Sequence, residues 1–217
     1  MASRKLSAES LEFFPTPPWP VRALLRYVAP EIGGSLVWEP ACGRGDMVRA
    51  LREGGCEVVG TDVHDYGAGF QVADFLWPGS EKALGLAPDW IVTNPPFKPA
   101  EAFIRKGLSI ARRGVAVFVR LQFLEGQDRQ RDLFGPLPPS TIALFSERVN
   151  IAYGRLDRTA SQATAYCWIV WERGARVSAP TFRWIRPCRA LLDRASDYEG
   201  YAAAPAAPLF AGLGECA

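Results

Sequence analysis

The strongest constraint on the fold is a strand, a glycine turn, a helix and a second strand that follow one another within about 27 residues. Leu36–Glu39 reads as a buried strand, and the turn after it contains Gly43 and Gly45. Apolar side chains then recur at helical spacing until Gly54, which ends a helix. Glu57–Asp62 is the second strand. Strands joined in this way are parallel with a right-handed crossover, so the segment predicts an α/β sheet.

The rest of the chain continues this alternation. Further strands are predicted at 89–93, 115–119, 141–146 and 164–171, and helices at 20–28, 100–112 and 123–134. Residues 63–88 carry no regular pattern and are expected to be irregular. Strands such as Val115–Val119 are apolar without interruption, as is usual where helices cover both faces of a sheet. The sequence therefore predicts a doubly wound, mostly parallel sheet.

Length and composition fit one domain, since 48% of the 217 residues are hydrophobic and 22% are charged. We expect a single domain over 1–200, with residues 1–17 as an N-terminal arm and 201–217 as a disordered tail. No membrane span and no signal peptide is recognisable, so a cytoplasmic protein is expected. Five scattered cysteines and one histidine predict neither a disulfide framework nor a metal site.

Charge is distributed unevenly along the chain. Residues 1–97 contain 8 Lys/Arg and 12 Asp/Glu, whereas residues 98–189 contain 16 Lys/Arg and 7 Asp/Glu. This asymmetry suggests a cationic ligand on the acidic half and a polyanion on the basic half. Arginines that only solvate helices would give the same numbers, so charge alone leaves both interpretations open.

The glycine turn has features of a nucleoside site. Its glycines allow a ligand to approach the backbone closely. A carboxylate at Glu39, just before the turn, would repel a pyrophosphate. Asp62 ends the next strand, where an acid binds ribose hydroxyls. Together these residues favour a cationic nucleoside over a dinucleotide; a structural turn capped by Asp46 is the alternative.

A second candidate site is Asn94-Pro95-Pro96-Phe97, which ends the strand at 89–93 because proline supplies no ladder N–H. An amide, two rigid residues and an aromatic ring are thereby placed at the carboxyl end of a strand. Ligands bind at that end in open α/β sheets. A proline-terminated strand with a structural asparagine is the alternative interpretation.

Three motifs in this order resemble those of S-adenosylmethionine-dependent amino-methyltransferases. Residues 39–45 (Glu-Pro-Ala-Cys-Gly-Arg-Gly) resemble the cofactor motif, and residues 94–97 resemble the catalytic tetrapeptide. Pro15-Thr16-Pro17 resembles the segment just upstream of the cofactor motif in one permuted order. The resemblance is to phage- and restriction-type adenine DNA methyltransferases and covers residues 13–172. It implies a Rossmann-like class I methyltransferase fold with an antiparallel last strand.

The resemblance also implies roles in binding S-adenosylmethionine. Asp62 would hold the ribose hydroxyls, and Asp74 would face the adenine amino group with Phe75 against the ring. The other matching positions would surround or close the methionine part of the cofactor: Phe13, Thr16, Glu39, Ala41, Gly43 and Gly45.

The tetrapeptide implies transfer of a methyl group to the exocyclic amino group of adenine, N6. Oxygens of Asn94 and Pro95 could each accept one N–H of the amine and so direct its lone pair at the methyl group. Pro96 would rigidify the turn, and Phe97 would stack on the base. Asparagine at the first position favours adenine over cytosine, by resemblance.

DNA is the implied partner, with the target base flipped or single-stranded. Candidate phosphate contacts in the basic half are Lys98, Arg105, Arg112, Arg113, Arg120, Arg129, Arg131, Arg148, Arg155 and Arg158. No segment matches a large target-recognition region, so only 121–140, 147–163 and 174–200 could read sequence. The alternatives are an RNA base methyltransferase, a protein glutamine methyltransferase and a non-catalytic nucleic-acid-binding relative.

Overall fold

A mixed sheet forms the centre of the computed structural model, which describes residues 13–160, 163–175 and 177–200. Its eight strands among these residues are β1 Leu36–Glu39, β2 Glu57–Asp62, β3 Gln71–Val72, β4 Trp90–Thr93, β5 Gly114–Arg120, β6 Thr141–Phe145, β7 Tyr166–Glu172 and β8 Thr181–Ile185. They lie in the order β3-β2-β1-β4-β5-β7-β6-β8. The tail expected at 201–217 and the first twelve residues of the arm lie outside the described residues.

Strand directions confirm the predicted sheet. Neighbouring strands are parallel except where β7 pairs with β5 and β6. The antiparallel strand is therefore the one predicted at 164–171. It is not the last, because β8 follows it and pairs in parallel with β6. Prediction missed β8 because the strand lies at the sheet edge with four exposed side chains and one buried one, and so lacks an apolar run.

Helical segments differ from the predictions at their ends. The helices are α1 Pro18–Ala23, α2 Asp46–Glu53, α3 Ser80–Ala83, α4 Ala100–Ile110, α5 Gln127–Arg129 and α6 Arg189–Leu192. The helix predicted at 20–28 is α1 followed by a π turn, Leu24–Val28. The helix predicted at 123–134 is three short pieces: a 3₁₀ turn, α5 and a π turn, Gln130–Phe134. Residues 63–88, expected to be irregular, contain β3 and α3.

Each face of the sheet carries its own apolar core. Helices α1 and α2 supply one core through residues such as Trp19 and Leu51, both fully buried. Helix α4 and the segment 121–134 supply the other through residues such as Ile104 and Leu133. The sheet is thus doubly wound, and β2 and β4 lie on opposite sides of β1. A crevice opens at this switch in strand order, at the carboxyl ends of β1 and β4.

None of the helices that the structure describes is long and apolar enough to span a membrane.

Candidate active site

A cavity of about 490 Å³ occupies the crevice between the carboxyl ends of β1 and β4. Its volume suits a ligand the size of a nucleoside. Of the thirteen predicted catalytic and cofactor residues, all except Gly45 line it: Phe13, Thr16, Glu39, Ala41, Gly43, Asp62, Asp74, Phe75, Asn94, Pro95, Pro96 and Phe97. The fold therefore brings together two motifs, 39–45 and 94–97, that are separated in sequence but lie at the ends of neighbouring strands.

Glu39 is a buried carboxylate without a hydrogen bond. The residue ends β1, is 1% exposed and lines the cavity. Neither carboxylate oxygen has a hydrogen-bond partner among the described residues; Thr93 and the Asn94 backbone lie nearby but outside hydrogen-bond geometry. Burial, reinforced by the nearby Asp62 and Asp46 carboxylates, raises the pKa of Glu39 well above its ordinary value. An acidic wall of this kind favours a cationic ligand.

Asp62 ties the end of β2 to the glycine turn. One carboxylate oxygen accepts the Gly43 N–H at 2.9 Å, and the other accepts the His64 N–H at 3.1 Å. Burial raises the pKa of Asp62, although these backbone bonds oppose the shift. Each oxygen retains a second lone pair, so the carboxylate can still accept two ribose hydroxyls.

Gly45 supports the turn from behind. Its φ of 85° lies in the left-handed region, and it directly precedes α2. A Cβ at this position would lie 2.4 Å from the Phe70 ring. Gly45 therefore shapes the start of the helix and does not itself line the cavity.

Asn94 is held by the arm. Its side-chain Nδ2 donates to the Phe14 carbonyl at 3.1 Å and to Thr16 Oγ1 at 2.9 Å. Both amide N–H groups are thereby used, because Asn has only two. Oδ1 is left as an acceptor at the carboxyl end of β4, where the residue lines the cavity. Sequence reasoning assigned Thr16 only to closing the cofactor site and did not predict its hydrogen bond with Asn94.

The described part of the arm, residues 13–17, closes one side of the cavity. The Phe13 ring stacks on Tyr66 with centroids 4.4 Å apart, and a Cβ added at Gly43 would lie 2.6 Å from the Phe13 ring. The Phe13 carbonyl accepts the Gly154 N–H at 2.8 Å. The arm thus lies between the glycine turn and the polar loop after β6. Sequence reasoning missed Tyr66, although it follows Asp62 by four residues and the ring could have been expected near a nucleoside.

Phe97 contacts both the cavity and a cation. The ring lines the cavity, and the Arg120 guanidinium carbon lies 4.0 Å from its centroid. Phe14 packs beside both, 5.3 Å from Phe97 and 5.7 Å from the guanidinium. Arg120 ends β5, and sequence reasoning gave no sign of its contact with Phe97.

Other predicted phosphate contacts differ in availability. Lys98 lines the cavity. Arg129 donates to the Glu125 carbonyl, and Arg148 donates to that of Ala163. Arg155 and Arg158 form ion pairs with Asp157 and Asp193 at 3.0 and 2.8 Å. Further pairs tie up four candidates: Arg105 with Glu101, Arg112 with Asp89, Arg113 with the Ser35 hydroxyl, and Arg131 with Asp132.

These residues fit S-adenosylmethionine in three respects. The unpaired Glu39 oxygens offer acceptors to a cation, whose charge would oppose the rise in the pKa of Glu39 and favour its ionised carboxylate. The glycine turn leaves no room for a side chain between the backbone and Phe13. Asp62 lies at the end of β2, where ribose hydroxyls bind in this fold class. No group of three or more His, Cys, Asp or Glu side chains able to hold a metal ion occurs in the described ranges.

No protein-family model and no curated protein matches the sequence. Solved structures do share its fold. A predicted RNA methyltransferase from Pyrococcus horikoshii is 17% identical with a TM-score of 0.56, over 79% of this chain and 92% of that protein. The methyltransferase subunit of a type I restriction-modification system from Streptococcus thermophilus is 13% identical with a TM-score of 0.57, over 80% of this chain and 47% of the subunit.

A predicted hemolysin from Streptococcus thermophilus is 10% identical with a TM-score of 0.53, over 84% of this chain and 70% of that protein. At these identities, the likeness establishes the class I Rossmann-like methyltransferase fold and leaves the substrate to be argued from the site. This chain spans less than half of the restriction-modification subunit.

Proposed function

We propose that this protein transfers a methyl group from S-adenosylmethionine to the N6 amino group of adenine in DNA. The observation that carries the proposal is the amide of Asn94, whose two N–H groups are bound by the arm while Oδ1 remains an acceptor at the cavity. An exocyclic amine needs acceptors, because its lone pair becomes available only when its N–H groups are held.

Residues 94–97 would act by positioning the amine. Oδ1 of Asn94 and the Pro95 carbonyl would each accept one N–H, so that the nitrogen lone pair points into the cavity. Phe97 would stack on the base. S-adenosylmethionine, when bound, supplies an electrophilic methyl group. The C–N bond would form as the C–S bond breaks, S-adenosylhomocysteine would leave, and the methylated amine would lose one proton to water.

The acidic wall supports the choice of cofactor. Glu39, Asp46 and Asp62 line one side of the cavity, and this concentration of carboxylates favours a ligand with positive charge. A dinucleotide with its pyrophosphate would be repelled there. Asp74 and Phe75 line the same cavity, consistent with an adenine at that end.

The choice of DNA rests on charge and on a structural neighbour. The basic half of the chain follows the catalytic tetrapeptide, and Lys98 lies at the cavity itself. One protein with this fold is the methyltransferase subunit of a type I restriction-modification system. The neighbour described as an RNA methyltransferase makes RNA the competing substrate.

Transfer of a labelled methyl group to separate pools of DNA, RNA and protein tests the proposal. We expect label in DNA, released on nuclease digestion as N6-methyldeoxyadenosine, and none with the Asn94→Ala variant. Label in RNA or in protein glutamine would show that RNA or protein, and not DNA, is the substrate. If calorimetry detects no binding of S-adenosylmethionine, the enzymatic function is excluded and a non-catalytic nucleic-acid-binding relative remains.

A further inference from the structure

Arg120 is a half-buried cation without a counterion. Its side chain makes no hydrogen bond or ion pair with any residue that the structure describes, whereas Arg105, Arg112, Arg131, Arg155 and Arg158 all have acidic partners. Its Nε is buried and has no partner. Leaving a charged group partly desolvated and unpaired is costly, so a site that retains one calls for an explanation.

The geometry of the guanidinium restricts what can bind it. Its central carbon lies over the Phe97 ring, 4.0 Å from the ring centroid, and 5.7 Å from the centroid of Phe14. The N–H groups of a guanidinium point outward in its plane, so a partner must approach the edge. Nε is buried, but the two terminal nitrogens are not among the buried unpaired atoms and therefore reach solvent. Two parallel N–H groups at an exposed edge match the oxygens of a phosphate.

The location of Arg120 fits a phosphate near the target base. Phe97 lines the cavity, whereas Arg120 does not, and we infer that the guanidinium lies on the face of the ring that points away from the cavity. A base stacked on the cavity side of Phe97 would lie about 3.5 Å from the ring, and the guanidinium lies 4.0 Å behind it. The base and the guanidinium would therefore be separated by about two stacking steps of a nucleic-acid strand, at roughly 3.4 Å each.

We propose that Arg120 binds a backbone phosphate within two nucleotides of the target adenine, using the ring of Phe97 as its platform. This inference rests on the proposed function and adds to it the residue that couples the strand to the base. The cation on one face of Phe97 holds the ring in place, and the phosphate supplies the missing counterion. Arg120 is a positioning residue, because it acts on the base through Phe97 and the backbone.

The first test compares Arg120→Met with Arg26→Met. Methionine keeps an unbranched side chain against the ring and removes the charge. Arg26 is a matched control, since it also lies over an aromatic ring, Tyr27 at 5.4 Å, and outside the cavity wall. Binding of a fluorescent oligodeoxynucleotide with one adenine is measured by anisotropy from 50 to 200 mM salt, with S-adenosylhomocysteine present.

We expect Arg120→Met to weaken binding at least fivefold at low salt. The slope of log K against log salt should fall by about 0.7 to 0.9, the loss of one phosphate contact. Arg26→Met should change neither quantity. Neither variant should have a lower melting temperature or a lower S-adenosylhomocysteine affinity than the wild type. An unchanged salt slope for Arg120→Met would overturn the proposal, because a residue that only packs on Phe97 would not change it.

The second test removes phosphate charges one at a time. A neutral methylphosphonate replaces each linkage within two nucleotides of the adenine. One position should weaken binding to the wild type but cause no further loss with Arg120→Met. Equal losses with both proteins at every position would refute the contact. Displacement of the oligonucleotide by polyglutamate at equal charge would show a general anion site and also refute it.

These outcomes separate the two proposals. If binding depends on Arg120 but no DNA is methylated, the proposed reaction is refuted and the phosphate site stands. Methyl transfer to DNA with binding that is independent of Arg120 would remove the phosphate site alone.

Discussion

At the scale of single residues, the proposed chemistry depends on the orientation of one amide. The Asn94 N–H groups have fixed partners in the arm, so an inverted amide would place its oxygen against the Phe14 carbonyl and the Thr16 hydroxyl. The carbonyl cannot donate, and inversion would therefore lose at least one hydrogen bond. The arm thereby specifies which end of the amide meets the substrate.

Replacing Asn94 by alanine should abolish turnover and spare cofactor binding. The loss of one positioned acceptor should lower kcat by about 10²-fold or more. The affinity for S-adenosylmethionine should stay within about threefold, because the arm keeps the contacts of Phe13 with Tyr66 and Gly154 when the bonds from Asn94 are lost. Calorimetry and labelled methyl transfer measure the two effects. Retained turnover would show that Asn94 does not orient the amine.

Glu39→Gln should stabilise the ligand-free protein at high pH. The folded-state pKa of Glu39 is raised from its ordinary value of 4.5, so the folded state loses stability as the pH rises from 4.5 through the raised value. Glutamine removes this penalty. We expect a gain of about 1–3 kcal/mol in the free energy of unfolding at pH 9 and almost none at pH 4.

Denaturant titrations at both pH values measure the gain, with the exposed Glu57→Gln on β2 as the control. The same Glu39 variant should bind S-adenosylmethionine more weakly. If the Glu39→Gln variant is less stable than the wild type at pH 9, the buried carboxylate has hydrogen-bond partners in solution.

At the scale of elements, the arm and the glycine turn form one unit. Gly43→Ala places a Cβ 2.6 Å from Phe13 and should displace the arm from the cavity. Gly34→Ala is a matched control, because Gly34 also has a positive φ, 74°, but no atom lies within 4 Å of its added Cβ. Both variants carry a similar backbone penalty of about 1 kcal/mol.

We expect Gly43→Ala alone to weaken S-adenosylmethionine binding, by about tenfold or more, and to lower turnover because Asn94 loses its partners in the arm. Isothermal titration and methyl-transfer rates report the difference. Equal affinities for the two variants would mean that Phe13 does not close the cofactor site.

Elements with a local sequence signal were predicted well. The first two strands match the structure residue for residue, because the glycine turn and the helix between them have an unambiguous period. Strand β8 was missed because it has no apolar run of its own and is stabilised by its pairing with β6. The segment 121–134 breaks into short pieces because its apolar residues pack on the sheet without keeping a helical period.

At the scale of the whole molecule, an ion-pair network fixes the last described segment to the first helices. Arg22 in α1 is 9% exposed and binds Asp197 at 2.7 Å and Glu53 of α2 at 2.8 Å. Burial alone would raise the pKa of Asp197, but the hydrogen bonds from Arg22 and from the Arg194 backbone N–H, together with the nearby charges of Arg22 and Arg49, outweigh it, and the pKa is lowered. The pair holds residues 189–200 against the face of the sheet opposite α4.

Asp197→Asn should lower the free energy of unfolding by about 3 kcal/mol near neutral pH, the lower end of the range for a broken buried pair, because Glu53 remains. The ionised Asp197 stabilises the fold above its ordinary pKa of 3.8, and this contribution disappears as the pH falls through the lowered folded value. The difference between variant and wild type should therefore vanish in strong acid.

Chemical denaturation at several pH values measures this difference. Asp132→Asn, which breaks an exposed pair with Arg131, should leave stability unchanged. A loss that persisted in strong acid would point to packing and not to charge.

The candidate site could be predicted only as far as its motifs reach. Glu39 and Asp62 were predicted because each ends a strand next to a recognisable motif, and Asn94 because it directly follows β4. The hydrogen bonds from Asn94 to the arm span 80 and 78 residues, and the contact of Arg120 with Phe97 crosses between strands. Such contacts leave no local pattern in the chain, so only tertiary structure could reveal them.

The contacts of the arm have a consequence for the order of folding. The arm is hydrogen-bonded to Asn94, about midway along the domain, and to Gly154, which lies further along the chain. In α1, which follows the arm, the Pro20 carbonyl accepts a hydrogen bond from Trp168 across 148 residues. Contacts between distant parts of a chain form slowly, because their loops must close first. During synthesis, the N-terminal segment must therefore wait for most of the sheet to emerge before it can dock. We expect the cavity to be the last part of the domain to close, and a newly made chain to be cut by proteases at residues 13–17 until then.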